Sequence, residues 1–331
     1  MTRRPTLPKA PLLLIAGLLA ALCIAAITLV LCARNGLLTP SESEMRARYA
    51  LADSQFTDVD GQAVHFVDQG QGPVIMLLHG SFGSLRNWNV WVARLVSRYR
   101  VIRFDRPRMG LSGAEPAGRS GSEQEMRVIA ALAAKLRVDR FFLVATSSAG
   151  AAAAAYASEH PTQIRGLVLA NVAVGPFEMD RAHLPAIFKL LLRIDPVFHG
   201  WHPLEFWRQV LLTNFYDPDK VTSAQAREWQ DLNNRAQRMP RVDGARSSAL
   251  EFERSTGDFA RMSVPTLLLW SDHDHELPLE TVGRRGLKVL GSHDKSLEVI
   301  PNCGHMMPLE CGEQSVTRAA AFFDRLSVVE S

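Results

Sequence analysis

The stretch that most constrains this chain is RFFLVATSSAGAAAAAYASEHP, residues 140–161. Phe141, Phe142, Leu143 and Val144 form a continuous apolar run, the pattern of a strand covered on both faces of a sheet. The run stops at Thr146, Ser147 and Ser148. The alanines that follow favour a helix as far as His160 and Pro161, where the proline blocks further winding. A buried strand that turns straight into a helix needs a sheet with helices on both sides, and it leaves Ser147 at the carboxyl edge of that sheet. Alone, a serine in such a small-residue turn is more often structural than catalytic, for example a plain N-cap, so the remainder of the chain has to decide.

The remainder repeats the unit. Residues 54–70, SQFTDVDGQAVHFVDQG, alternate in strand fashion about Asp60 and Gly61, a dipeptide that favours a hairpin turn, and predict an antiparallel pair at a sheet edge. VIMLLHG (74–80) predicts a buried strand, followed by a glycine loop and a helix with Trp88, Trp91, Val92 and Leu95 on one face. RVIRFD (100–105) predicts another strand, and Ser122 with Glu125 forms an S-x-x-E capping box for a helix carrying Met126, Ile129, Ala133 and Leu136. Later strands are expected at 166–171, 266–271 and 296–300, with a last helix from about Glu313. Strands alternating with helices give an α/β fold, a mostly parallel doubly wound sheet, with its site at the carboxyl ends of the strands. Residues 54–172 and 263–331 form this core. The segment 173–262 is far longer than a single crossover helix needs, and its apolar runs predict an inserted helical cap over the carboxyl edge.

The N-terminus is different in kind. Residues 1–10 are basic, whereas 11–33 carry no charge, long enough to span a bilayer as a helix and longer than the apolar part of a cleaved signal peptide. Leu31 stands where a cleavage site before Arg34 would need a small residue, so an uncleaved anchor is expected over secretion after cleavage. Arg3, Arg4 and Lys9 precede the span and only Arg34 closely follows it, which puts the N-terminus in the cytoplasm and the domain outside. Residues 34–53 read as a juxtamembrane linker or a short helix. A net charge of +3, scattered over the chain, gives no footprint for nucleic acid.

A serine at a strand end needs a base, and the base needs a group to orient it. Asp274 follows the strand TLLLWS in WSDHDHELP, and His305 follows SLEVI in PNCGHMMPLE. The order serine, acid, histidine, the loop HGSFGS at 79–84, the loop DRPRMGLS at 105–112, the W-x-x-x-D acid loop and the GH-x-x-P-x-E loop ending at Glu310 together resemble the α/β-hydrolase fold family over roughly residues 54–328. The elbow is similar to the family's G-x-S-x-G with Ala145 and Ala149 in place of both glycines, and Arg108 stands where the family usually has glycine.

The resemblance implies that Ser147 attacks a carbonyl, His305 takes its proton, and Asp274 orients the imidazole. It also implies an oxyanion site made by the backbone N–H groups of Ser148 and Ser81, with Phe82 as the alternative second donor. Asp272 is the competing acid and is expected to be a solvated loop carboxylate. His273 and His275 flank Asp274 but point in different directions from one loop, so no metal and no cofactor is expected. Cys303 and Cys311 bracket His305 and are expected as free thiols, since spacing alone brings no two Cα atoms together.

The implied activity is that of a membrane-anchored serine hydrolase acting on esters, with an apolar ester as its partner and the bilayer held through residues 11–33. Phe82, Phe188, Phe198, Trp201, Phe206 and Trp207 are the candidate substrate lining. Amidase, aminopeptidase, lactonase, carbon-carbon bond hydrolase and cofactor-free haloperoxidase chemistry share the same triad. A hydrolase fold without activity, retained for binding, is the alternative from a different class.

Overall fold

The structure, a computed structural model, describes residues 9–116, 121–175, 184–198, 200–235, 239 and 248–328. The basic residues before Lys9 lie outside them. The uncharged run winds as α1 (Lys9–Arg34), of which Leu13–Arg34 is long and apolar enough to cross a membrane. A short helix, α2 (Glu42–Tyr49), follows. It starts at a capping box in which Ser41 N–H donates to Glu44 Oε2 at 2.7 Å and Glu44 N–H donates to Ser41 Oγ at 3.3 Å.

Asp60 (φ 53°) and Gly61 (φ 83°) both take left-handed backbone. That twist lays β1 (Gln55–Val59) on β2 (Gln62–Gln69) as an antiparallel hairpin at the sheet edge. The hairpin leads into β3 (Val74–Leu78), α3 (Asn89–Leu95), β4 (Arg100–Phe104), α4 (Gly121–Lys135), β5 (Phe141–Ser147), α5 (Ala149–Glu159) and β6 (Ile164–Val172). The inserted segment supplies α6 (Ala186–Phe198), α7 (Leu204–Asn214), α8 (Ser223–Asn234) and α9 (Ser248–Arg261). The chain then completes the sheet with β7 (Thr266–Ser271), α10 (Arg284–Val289), β8 (Lys295–Ile300), α11 (Met307–Glu310) and α12 (Gly312–Val328). The eight strands lie in the order β1-β2-β4-β3-β5-β6-β7-β8, antiparallel only where β2 meets β1 and β4.

Each face of the sheet has its own core. Met76, Leu78, Phe104, Leu143, Leu169 and Trp270 pack with α4 and α5 on one side. Ile75, Leu77, Phe142 and Val144 pack with Trp88, Trp91, Leu95, Phe322 and Phe323 on the other. Alternate residues of one strand thus bury on opposite faces, which is why β3 and β5 read as unbroken apolar runs.

Three expectations shift. Helix α9 packs on α5 and places Phe259 in the sheet core, so the end of the 173–262 segment is the crossover helix into β7 rather than cap. Helix α4 starts at Gly121, and Glu125 does not cap it: its buried carboxylate is drawn to the Arg106 guanidinium instead. Of the two readings of residues 34–53, the short helix holds, as α2, and it is docked rather than a loose linker, because Met45 and Tyr49 are buried with Leu232, and Asp231 of α8 accepts from Tyr49 Oη at 2.7 Å and Arg48 Nη1 at 3.0 Å. Tryptophan and phenylalanine from α6, α7 and α8 form a separate apolar cluster, which Met306 and Leu309 of the histidine loop join from below.

Candidate active site

Ser147 ends β5 with φ 54°, a left-handed conformation that costs a non-glycine residue about 1–2 kcal/mol. The turn holds its Oγ off the sheet. Strand and helix meet closely here, yet the small residue that the approach requires is Gly150: a Cβ there would lie 2.5 Å from Val172 Cβ. The alanines at 145 and 149 are both fully buried, and neither takes the left-handed backbone that would favour glycine, which is how the elbow tolerates them. Gly80 is tight from the other side, where a Cβ would lie 2.8 Å from Ser147 Cβ.

His305 Nε2 lies 3.1 Å from Ser147 Oγ, and His305 Nδ1 donates to Asp274 Oδ2 at 2.7 Å. Asp274 is itself fixed by the backbone N–H groups of Glu276 (2.9 Å) and Leu277 (2.8 Å), both on its Oδ1. Serine, histidine and aspartate from the ends of β5, β8 and β7 are therefore one connected chain of polar atoms. Burial disfavours the charged imidazole of His305, but Asp274 and then Glu276, whose Oε2 is 3.7 Å from Nε2, outweigh it and push the pKa up to about 9. Asp272 accepts from Asn302 N–H (3.0 Å) and Cys303 N–H (3.2 Å), so it ties the acid loop to the histidine loop rather than standing merely solvated. His273 turns away to Asp272 and packs, tilted, against Tyr216 with ring centroids 4.3 Å apart.

The second wall is the loop after β3. His79 Nδ1 donates to Gly80 O at 2.8 Å and its Nε2 accepts from Arg106 N–H at 3.0 Å; burial lowers its pKa to about 4, and it is a neutral structural histidine. Ser81 Oγ and Ser148 Oγ are 2.8 Å apart, which joins the two segments expected to carry the oxyanion donors. Phe82 has φ 61°, and its carbonyl accepts from Asn233 Nδ2 of α8 at 3.0 Å, so its ring stands at the mouth of the site against Trp207 (5.5 Å). Arg108 also has φ 66°, the conformation for which the related loops carry glycine.

A cavity of about 780 Å³ opens on the Ser147–His305 pair. Phe82, Phe188, Phe206 and Trp207 line it together with Leu184, Leu192 and Val210. Phe198 and Trp201 do not; they pack against each other, ring centroids 5.9 Å apart and tilted by 44°, where the chain turns through Gly200 (φ 85°) after α6.

Two further residues position the site: Asn171 escaped the sequence reading, and Glu310 entered it only as the last residue of a motif, without a role. Asn171, at the end of β6 with φ 47°, donates from Nδ2 to Ser271 Oγ (2.8 Å) and His305 O (3.1 Å), and its Oδ1 accepts from Ser271 N–H at 2.8 Å. Glu310 accepts from Gly304 N–H and Asp217 N–H, both at 2.7 Å, and so joins the histidine loop to the cap. The only signals for them are a polar residue at a strand end and the final glutamate of GH-x-x-P-x-E.

Cys303 and Cys311 are not free thiols. Helix α11 folds the loop back until their Cα atoms are 6.1 Å apart, and the sulfurs are bonded. The crosslink closes a loop eight residues in separation around His305. Its removal in a Cys303→Ser, Cys311→Ser variant is expected to cost about 2–3 kcal/mol by chain entropy, read as a lower urea midpoint that reductant no longer shifts.

The family model described as the alpha/beta hydrolase family matches residues 75–319. Among curated relatives, 2-hydroxy-6-oxo-6-phenylhexa-2,4-dienoate hydrolase of Comamonas testosteroni is 23% identical over 82% of this chain and 92% of its own. Among solved structures, a membrane phospholipase A, described as a bacterial virulence factor, aligns at TM-score 0.63 and 22% identity over 97% of this chain and 99% of that one. A thermophilic esterase from Thermogutta terrifontis aligns at TM-score 0.66 and 21% identity over 83% and 99%. At such identities the solved structures speak for the fold alone. The match across most of the folded part, on a sheet that carries serine, acid and histidine at its carboxyl edge, establishes that the chain belongs to the alpha/beta hydrolase family.

Proposed function

We propose that the protein is a serine hydrolase of neutral, apolar carboxylic esters, held in a membrane by α1. In this reading Ser147 Oγ attacks the ester carbonyl carbon while His305 Nε2 takes its proton, and the imidazolium then protonates the departing alcohol. Water, deprotonated by the same nitrogen, attacks the acyl-enzyme and releases the acid and Ser147. The tetrahedral oxygen is held by the backbone N–H of Ser148 and by that of Ser81 or Phe82. The anchor reading draws on the length of the apolar helix and on the whole-chain likeness to a membrane phospholipase.

The observation that carries the ester reading is the charge of the cavity. Its walls are mostly apolar, Glu276 stands beside the reacting histidine, and no arginine or lysine is among its described lining residues. The dienoates named for the curated relatives are carboxylates and would meet the Glu276 carboxylate with no arginine or lysine opposite among the described lining residues. Those relatives do favour a second reading, carbon-carbon bond hydrolysis by the same triad.

A panel of nitrophenyl esters from acetate to palmitate, beside 2-hydroxy-6-oxo-6-phenylhexa-2,4-dienoate and an aminoacyl anilide, separates them. Neutral esters of short to medium chain are expected to turn over fastest; faster cleavage of the dienoate or of the anilide would overturn the ester reading. Glu276→Gln supplies a second check. The free base of His305 exists above its pKa, so kcat/KM on a neutral ester should rise with pH towards about 9 in the wild type. Removing the Glu276 charge moves that rise to lower pH, increases activity at pH 7, and raises the relative rate on an acyl chain ending in carboxylate by about tenfold.

A further inference from the structure

Helix α6 presents two apolar faces. Leu184, just before it, and Phe188 and Leu192 line the cavity. Ile187, Leu190, Ile194 and Val197 recur at helical spacing on another side, where Leu190 is 52% exposed, Val197 48% and Ile187 43%. Lys189 and Arg193, both exposed, flank this stripe. Three large aliphatic side chains on water, with the half-buried Ile194 between them, are unusual for a helix that already has a core to pack on.

What covers the stripe is indicated by its neighbour. Helix α6 packs on α1, whose described side chains are exposed from Leu13 to Leu29 and lose exposure near its C-terminal end, at Val30, Cys32 and Ala33. That end is where the apolar span stops, so α6 lies at the depth where a membrane-spanning α1 would leave the hydrocarbon. Leu37 and Leu38, just beyond, are exposed too. Docking of α2 onto α8 fixes the body close to the span and removes the slack of a free linker.

We infer that the Ile187–Leu190–Val197 face of α6 is a membrane seat, lying in the boundary between headgroups and acyl chains, with Lys189 and Arg193 towards anionic headgroups. The partner is a phospholipid bilayer. The opposite face of the same helix walls the cavity, so the seat places the mouth of the site against the lipid and lets an amphiphilic ester pass from bilayer to Ser147 without crossing water. This rests on the anchor reading of α1 and goes beyond it, since an anchored chain with a free body would leave α6 in water.

The test uses the full chain in phosphatidylethanolamine–phosphatidylglycerol vesicles, with Cys23 and Cys32 replaced by alanine and an environment-sensitive label at Leu190→Cys. Nitroxide carried on the lipid acyl chains is expected to quench this label strongly and a control at Asp139→Cys, before β5 at the far edge of the sheet, hardly at all. Leu190→Asp with Val197→Asp should keep turnover of a soluble short ester, which reports that the domain is folded, and lose about tenfold on an ester dispersed in vesicles. A chain that resists carbonate extraction but whose Leu190 label is unquenched overturns the seat and leaves the anchor standing. Crosslinking of Leu190→Cys to a second chain without quenching overturns it in favour of a contact between copies. Recovery in the soluble fraction overturns the anchor and the seat together.

Discussion

Exchange of Ser147 for alanine is expected to lower ester turnover by about 10⁴-fold or more and to leave the thermal unfolding transition nearly unmoved. Loss of Oγ removes the one atom that bonds to substrate in the proposed mechanism, whereas its contact with His305 Nε2 at 3.1 Å is the only hydrogen bond of that oxygen among the described residues. Alanine keeps the same left-handed backbone at φ 54°, so the strain of the turn is unchanged. His305→Ala should silence the enzyme equally, but it leaves the buried Asp274 carboxylate with only two backbone N–H donors and so also costs stability. Labelling by a fluorophosphonate probe is the direct measurement: wild type labels, Ser147→Ala does not. Ester hydrolysis that survives Ser147→Ala but is lost in Ser148→Ala would move the nucleophile by one residue, and survival of both would leave a hydrolase fold without this chemistry.

What could be read beforehand follows the range of the interactions. Asp60–Gly61, the unbroken apolar strands and the loops that deliver Ser147, Asp274 and His305 are local patterns, set by dihedral preference and by burial on both faces of a sheet. The bonded pair of Cys303 and Cys311 depends on how α11 turns the loop back, which no spacing specifies. Phe198 and Trp201 carry the same chemistry as Phe188 and Phe206, but the turn at Gly200 takes them out of the cavity. Ser122 and Glu125 matched a local capping pattern, and a buried arginine nineteen residues earlier in the chain claimed the carboxylate instead. Long-range polar pairs of this kind leave no periodic trace, and they are what holds the site in shape.

That arginine carries the other large effect. Arg106 is almost fully buried, pairs with the equally buried Glu125, and donates from Nη1 to His79 O at 3.1 Å and to Ser148 Oγ at 2.9 Å. One guanidinium thus grips the residue after the candidate nucleophile and the loop that supplies the second oxyanion donor, and Glu125 holds the guanidinium in place. Arg106→Met takes from the buried Glu125 carboxylate the guanidinium it pairs with inside the fold, which should cost about 3–5 kcal/mol and lower Tm by roughly 10 °C in a domain of this size. The two oxyanion segments also lose their common donor. Because such donors act only when pre-aimed, kcat should fall by up to about 10²-fold with little change in KM. Stability and catalysis separate in the double variant Arg106→Met, Glu125→Leu. Removing both charges is expected to return most of the Tm, since neither member of the buried pair is left behind without the other, while kcat stays low because nothing replaces the bonds to His79 and Ser148. Recovery of kcat together with Tm would make Arg106 a stabilising residue alone, and an unchanged kcat in Arg106→Met would show that the oxyanion segments hold their geometry without it.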